Sequence, residues 1–263
     1  MPVLLLRLGF ITAATVLLAA CATPASDTSV IPNQTGELTA QKGVFTQPIH
    51  IKSTQPGCKG QCAQLQVNSL VFPGRPELSQ FVDQQLTTLL LGLNEGHLAA
   101  ASDLDQAVQQ YWDQAGPHDQ LILSAKVAYA NKDLTVLELG VWQYLTGAAH
   151  GMSSLELVNW DNAQNKVLAL KDLLQANQLE AFEQRLAQAH QAWLKTQDPA
   201  LEDPVQYQQL WPFQPTTNVG LNDAGLIAQY NSYDIAPYSS GQPRLLVPYT
   251  QLQGILKPRY LPR

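Results

Sequence analysis

The chain has 263 residues, 15 lysines and arginines against 21 aspartates and glutamates, and only 14% charged residues beside 45% hydrophobic ones. Globular chains average about 25% charged residues, and glutamine pairs such as Gln84-Gln85, Gln109-Gln110 and Gln208-Gln209 fill the deficit. The composition is too apolar for a disordered chain, lacks the basic footprint of a nucleic-acid binder, and has too few cysteines for a disulfide-built scaffold.

Residues 1–20 read as a processing signal. Arg7 supplies a short positive segment, Leu8 to Ala20 is uncharged and mostly apolar, and Leu18-Ala-Ala-Cys21 follows. A membrane span needs about 20 apolar residues, so this stretch is short for one. The four residues ending at Cys21 resemble the bacterial lipoprotein signal at every position. That resemblance implies cleavage before Cys21, acylation of its thiol and its new amino group, and anchoring by several acyl chains. In Gram-negative lipoproteins an aspartate after the cysteine usually marks retention in the inner membrane. Ala22 at that place implies the outer membrane, with the folded part in the periplasm. Residues 21–43 show no hydrophobic period and read as the lipidated cysteine and a flexible tether. The folded domain is expected over 44–263.

With Cys21 assigned to lipid, Cys58 and Cys62 remain as a pair in an oxidising compartment. A redox motif would have two intervening residues rather than three, and a zinc site would need two more ligands nearby. A structural disulfide is the expectation.

Phe45 to Ile51 and Ala63 to Phe72 read as strands, the second with Leu65, Val67 and Ser69 alternating with Gln64, Gln66 and Asn68. Pro76 opens a helix whose apolar face is Leu78, Phe81, Val82, Leu86, Leu89, Leu90 and Leu93. A second helix is expected from Ser102, with Asp105 in a capping-box position, to a stop at Gly116-Pro117. Three strand-like runs follow, Asp119 to Ala130, Leu134 to Thr146 and Ser153 to Trp160, and then Lys166 to Leu170. The short turns at Asn131-Lys132-Asp133 and Asn162 to Asn165 force antiparallel pairing. A long helix is expected over Gln178 to Thr196, then an irregular excursion with four prolines over Asp198 to Pro215. Val219 to Leu221, Leu226 to Tyr230 and Arg244 to Val247 read as final strands, and Pro248 to Leu256 as a short closing helix. The grouping predicts an α+β fold, an antiparallel sheet with helices packed on one face.

Two stretches carry a family likeness: Tyr144-Leu-Thr-Gly-Ala-Ala-His-Gly151 with Asp161 and Leu170-Lys-Asp-Leu-Leu174, and Asn222 to Tyr230 with Tyr233-Asp-Ile-Ala-Pro-Tyr-Ser-Ser-Gly241 and Leu246-Val-Pro-Tyr249. Together they resemble the extracytoplasmic domain of unknown function found in the anti-sigma factor RsiV and the peptidoglycan deacetylase PdaC. The likeness covers most of Ile51 to Leu256, and departs from the family where Ala148 replaces a second glycine. It implies a sensing or binding module by itself, since RsiV recognises lysozyme through this domain and PdaC carries its catalysis elsewhere.

His150 stands between Ala149 and Gly151 after Gly147, small neighbours that leave an imidazole accessible, either to a ligand or to brace a hairpin. Tyr230, Tyr233, Tyr238 and Tyr249 offer the area and polar tips favoured at binding sites, or simply sheet packing. Trp211-Pro212-Phe213 reads either as a docking loop or as core. The expected binding residues are therefore Gly147, His150, Gly151, Tyr233 and Tyr238. No catalytic residue, cofactor or metal site is expected. His50, His97, His118 and His190 are scattered, and nucleotide and nucleophile-elbow motifs are missing from the sequence. Glu156, Asp161 and Asp172 are the acids an alternative envelope hydrolase built on His150 would draw upon. The primary expectation is a non-enzymatic, outer-membrane-anchored binding module for a lysozyme-like glycosidase or an envelope component. A purely structural lipoprotein is the third reading.

Overall fold

The structure, a computed structural model, describes residues 44–94, 98–197 and 202–262. The expected signal peptide, Cys21 and the expected tether lie outside the described residues, as do His97 and the first residues of the proline-rich excursion. From Gln47 to Leu168 the chain forms a six-stranded sheet, ordered β1 (Gln47–Thr54), β2 (Gln64–Val71), β3 (Gln120–Ala130), β4 (Leu134–Tyr144), β5 (Met152–Asp161) and β6 (Lys166–Leu168). Between β2 and β3 run α1 (Pro76–Leu93) and α2 (Leu104–Gln114). The later chain gives α3 (Leu170–Leu173), α4 (Leu179–Leu194), α5 (Pro204–Leu210) and a second sheet of β7 (Val219–Leu221), β8 (Gly225–Gln229) and β9 (Arg244–Pro248).

The α+β class is the one expected, and the pairing is antiparallel except between β2 and β3. That pair is parallel because α1 and α2 form the long crossover that parallel neighbours require. The short turns after β3, β4 and β5 reverse the chain as their length dictates. The structure also has two sheets where the strand pattern suggested one.

β4 shows why the layers stack as they do. Leu137, Leu139 and Val141 point to one side and pack with Leu78, Val82, Leu86 and Leu90 of α1, each of these seven almost fully buried. Leu134 and Val136 point to the other side and join a second core with Val219, Leu221, Leu226 and Val247 of the small sheet. That second core continues into Phe182 and Leu186 of α4. The layers are helices α1 and α2, the large sheet, the small sheet and α4. A strand covered on both faces reads as a nearly continuous apolar run, and Leu-Thr-Val-Leu-Glu-Leu is such a run. Its one charge, Glu138, is nearly buried and held by Lys126 at 2.8 Å and Arg244 of β9 at 2.6 Å.

Three local differences from the sequence reading have simple causes. The N-cap of α2 is Asp103, whose carboxylate accepts the Gln106 N–H at 2.8 Å, while the Gln106 side chain reaches back to the Ser102 N–H at 2.7 Å. The capping exchange thus begins one residue later than expected. The excursion contains α5, started by Asp203 as a cap on Gln206 and by Pro204 in the first helical position. The expected closing helix is instead a single 3₁₀ turn over Tyr249–Gln251.

Candidate functional site

The turn after β4 is shaped by Asp119. Its buried carboxylate accepts the Thr146 N–H and hydroxyl, both at 2.6 Å, and the Gly116 N–H at 3.0 Å. The Ala148 N–H closes the turn on the Leu145 carbonyl at 2.9 Å. Gly147, at φ +88°, supplies the left-handed residue that a glycine adopts without strain. Gly151 is buried against the Trp142 ring, where an added Cβ would lie 2.5 Å from ring atoms. Between these two glycines His150 stands half-buried, with Nδ1 3.0 Å from the Gly151 carbonyl. A carbonyl only accepts, so Nδ1 carries a proton, and in the neutral ring Nε2 is the acceptor.

A second loop runs from Tyr230 to Gly241. Buried Tyr230 donates its hydroxyl to the Gln214 carbonyl at 2.7 Å. The Asn231 N–H reaches the Asp234 carboxylate at 2.7 Å, the Ser232 hydroxyl reaches the Gly241 carbonyl, and buried Ile235 and Ala236 pin the middle. Tyr233 sits at φ +75°, a left-handed conformation costly for a bulky residue. Its N–H bonds the Ala236 carbonyl at 3.1 Å and its side chain stays 44% exposed. Left-handed non-glycine residues persist where their surroundings over-determine them, and they cluster at functional sites. The loop is tied to β5 by the Asn231 side chain, which accepts the Leu155 N–H at 2.8 Å.

The two loops meet. His150 Nε2 lies 3.1 Å from the Tyr233 hydroxyl, which donates to it in the neutral ring. The Tyr238 ring stacks on the imidazole at 3.8 Å between centroids. Trp211, at the end of α5, lies 6.2 Å from Tyr233 between ring centroids, with the ring planes inclined by 29°. On α5 itself Val205 and Leu210 are 69% and 65% exposed, while Tyr207 packs inward beside Leu194. Phe213 and Trp193 flank His190, which is almost fully buried, and burial pushes its imidazole pKa down. His150, Tyr233, Tyr238 and Trp211 therefore form one aromatic corner, partly open to solvent.

The corner offers ring faces and hydroxyl tips rather than an acid–base pair. Among the described residues, both nitrogens of His150 are engaged by groups other than carboxylates. Asp161 is fully buried and bonds Arg259 at 3.1 Å, and Asp172 accepts the Ala169 N–H at the start of α3. Glu156 lies on β5 with its carboxyl pKa raised by burial. Among the described residues no group of three histidines, cysteines or acids is placed to hold a metal. Cys58 and Cys62 are joined as a disulfide, with Cα atoms 5.9 Å apart. His50 stands on β1 beside Asn68, and Tyr249 braces the β7–β8 turn through its hydroxyl on the Asn222 carbonyl at 2.8 Å. Gly147 shapes the first loop without contributing a side chain. Sequence reasoning named Trp211 only as a loop aromatic; the Asp203-Pro204 helix start was the signal that would have placed it.

Residues 171–250 match the family described as a protein of unknown function, DUF3298. No curated protein matches the chain. Among solved structures, a DUF3298 family protein from Pseudomonas aeruginosa PAO1 is 35% identical, with a TM-score of 0.74. The match covers 84% of this chain and 97% of that one. A member of the same family from Bacteroides fragilis NCTC 9343 shares the fold at 22% identity and a TM-score of 0.61, covering 83% of this chain and 95% of that one.

Proposed function

The chain belongs to the DUF3298 family, and we propose that it is an envelope binding module, tethered through lipidated Cys21 at the outer membrane, whose contact surface is the corner of His150, Tyr233, Tyr238 and Trp211. One observation carries this reading: Tyr233 is held exposed in a left-handed conformation, with its hydroxyl fixed on His150, 83 residues away in sequence. Surface tyrosine and tryptophan bring large contact area at little loss of side-chain freedom, and such residues dominate binding hot spots. The target is a lysozyme-like glycosidase or an envelope component. The resemblance to the lysozyme-recognising domain supports the first. So does the charge remaining after the signal, 14 basic against 21 acidic residues for a net of −7, since an acidic domain draws a basic enzyme.

The test is retention of the protein on immobilised lysozyme and on purified peptidoglycan, at low salt, beside a Tyr233→Ala variant. Retention on one matrix that the substitution abolishes supports the reading. Failure on both, or retention that survives the substitution, overturns it. Anchoring is checked separately: labelled palmitate should enter the wild-type chain and be lost from Cys21→Ser.

A further inference from the structure

A cavity of about 290 Å³ lies where the C-terminal ends of α1 and α2 meet the start of β3 and the end of β4, beside the turn that leads to His150. Three polar side chains that line it are more than nine-tenths buried: Asn94, Asp119 and Gln143. Gln143 ends the inward row of β4, after Leu137, Leu139 and Val141, where periodicity calls for another apolar residue. Among the described residues the Gln143 side chain forms no hydrogen bond within the protein, and it opens on the cavity. The Asn94 side chain, also on the cavity wall, donates to the Leu90 carbonyl at 2.8 Å and keeps its amide oxygen as an acceptor. Three buried polar side chains opening on one small cavity with apolar walls describe a polar ligand site, since pockets combine apolar walls with a few convergent polar groups. The apolar walls here are Leu98, Leu145 and the ring of Tyr111.

We propose that this cavity binds a small uncharged molecule through a secondary amide. Among the described residues no lysine or arginine lines it, and the Asp119 carboxylate repels an anion. Gln143 presents one acceptor and two donors and Asn94 presents an acceptor. The complement is a group with one N–H and one C=O beside a hydrocarbon part, as in an acetamido group. The N–H donates to the Asn94 or Gln143 oxygen, the carbonyl accepts from the Gln143 NH₂, and the methyl rests on Leu98 and Leu145. An N-acetylated sugar and an acetylated amino acid both carry this group, and the cavity admits one unit of either. The proposal does not rest on the aromatic corner as a binding surface, although Asp119 and Thr146 serve both the cavity and the turn that leads to His150.

The experiment follows the Asn and Gln side-chain amide resonances of the ¹⁵N-labelled protein during titration with N-acetylglucosamine, N-acetylalanine methylamide, glucose and acetate. At least one of the two amides should shift the Gln143 and Asn94 resonances saturably in the millimolar range, with no response to glucose or acetate. A sugar-only response assigns the glycan source, and a peptide-only response assigns the peptide source. Leu145→Trp, at a half-exposed position on the cavity wall, should weaken binding at least tenfold while leaving both amides in place. Gln143→Leu should do the same, read through the Asn94 resonance. Silence to both amides, an equal response to glucose or acetate, or binding that survives Leu145→Trp overturns the proposal.

Discussion

The two faces of the large sheet are joined by different chemistry. The helix side is joined chiefly by apolar packing of α1 leucines on β4. The hydrogen bonds across it sit at the rim, among them those from the Tyr111 hydroxyl to the Gln64 carbonyl, from the Gln55 amide to the Trp112 carbonyl and from the Arg75 guanidinium to the Asn162 carbonyl. The sheet side adds directional bonds through its middle. Asn159 donates to the Val219 carbonyl at 2.6 Å and accepts the Leu221 N–H at 3.2 Å. Asn218 bonds both the Leu155 carbonyl and the Leu157 N–H at 2.8 Å, and Asn231 bonds the Leu155 N–H. Asn218 and Asn231 satisfy the edge of β5 beyond the reach of the short β6, so that edge is not left open for pairing with another chain. Apolar contact is non-directional and tolerates small shifts, whereas a pair of amide bonds sets position. The helix side therefore supplies stability, and the sheet side sets where the loops of the aromatic corner lie.

Leu86→Ala tests the first half of that contrast. The side chain is fully buried, so the truncation should cost about 3–4 kcal/mol. The loss should appear as a lower urea midpoint. The near-ultraviolet circular dichroism of the His150–Tyr238 corner should stay unchanged below the transition. Asn159→Ala tests the second half. It leaves a buried carbonyl and a buried N–H of β7 without partners, a cost of about 2–3 kcal/mol. The smaller energetic change should nevertheless alter the aromatic dichroism, because β7 and β8 carry the chain into the Tyr230–Gly241 loop. If Leu86→Ala disturbs the corner as much as Asn159→Ala does, the division between the two faces is wrong.

The helix side was legible in the sequence because its signals are local. The spacing of Leu78, Val82, Leu86 and Leu90 marks α1, and turns of a few residues fix how β3, β4, β5 and β6 follow one another. The small sheet was readable only as three short strand-like runs. Nothing local in Val219-Gly-Leu221 says that it lies across β5, since the bonds placing it come from Asn159, about 60 residues earlier. The parallel β2–β3 pair is likewise a tertiary choice, set by what α1 and α2 cover. At the candidate site His150, Tyr233 and Tyr238 were each conspicuous in sequence, but their meeting depends on Asn231 holding one loop to β5. The amides lining the cavity were not legible at all. Gln143 and Asn94 are ordinary polar residues in a glutamine-rich chain until burial sets them apart.

Glu138 sharpens the comparison on the sheet side, where a charge bridges the layers. Burial raises its carboxyl pKa, but Lys126 and Arg244 outweigh that effect and the net shift is downward from about 4.5. A carboxyl depressed in the folded state contributes stability that is present above its unfolded value and lost as pH falls through the folded value. Both partners are substantially exposed, 63% for Lys126 and 45% for Arg244. Glu138→Gln should therefore cost only about 1–2 kcal/mol at neutral pH. Denaturation midpoints should converge for the two proteins as pH drops below about 4.5.

His190 gives the smallest effect and a separate pH window. Its imidazole is almost fully buried between Trp193 and Phe213, and neither ring nitrogen has a hydrogen-bond partner among the described residues. Burial lowers its pKa from 6.5, so the unfolded chain binds the proton more readily than the folded one. The sign follows: this contribution is intact above about pH 6.5 and declines as pH falls from there towards the folded value. Replacing an unsatisfied buried polar ring by a hydrocarbon of similar reach is close to neutral or stabilising. His190→Leu should thus change stability by less than about 1 kcal/mol at neutral pH, and should flatten the decline between about pH 6.5 and about pH 5. Urea midpoints measured across that range for both proteins decide it. A slope that persists in the variant would place the titrating group elsewhere, and a marked loss of stability at neutral pH would mean the ring holds α4 to the Trp211–Phe213 segment by more than its shape.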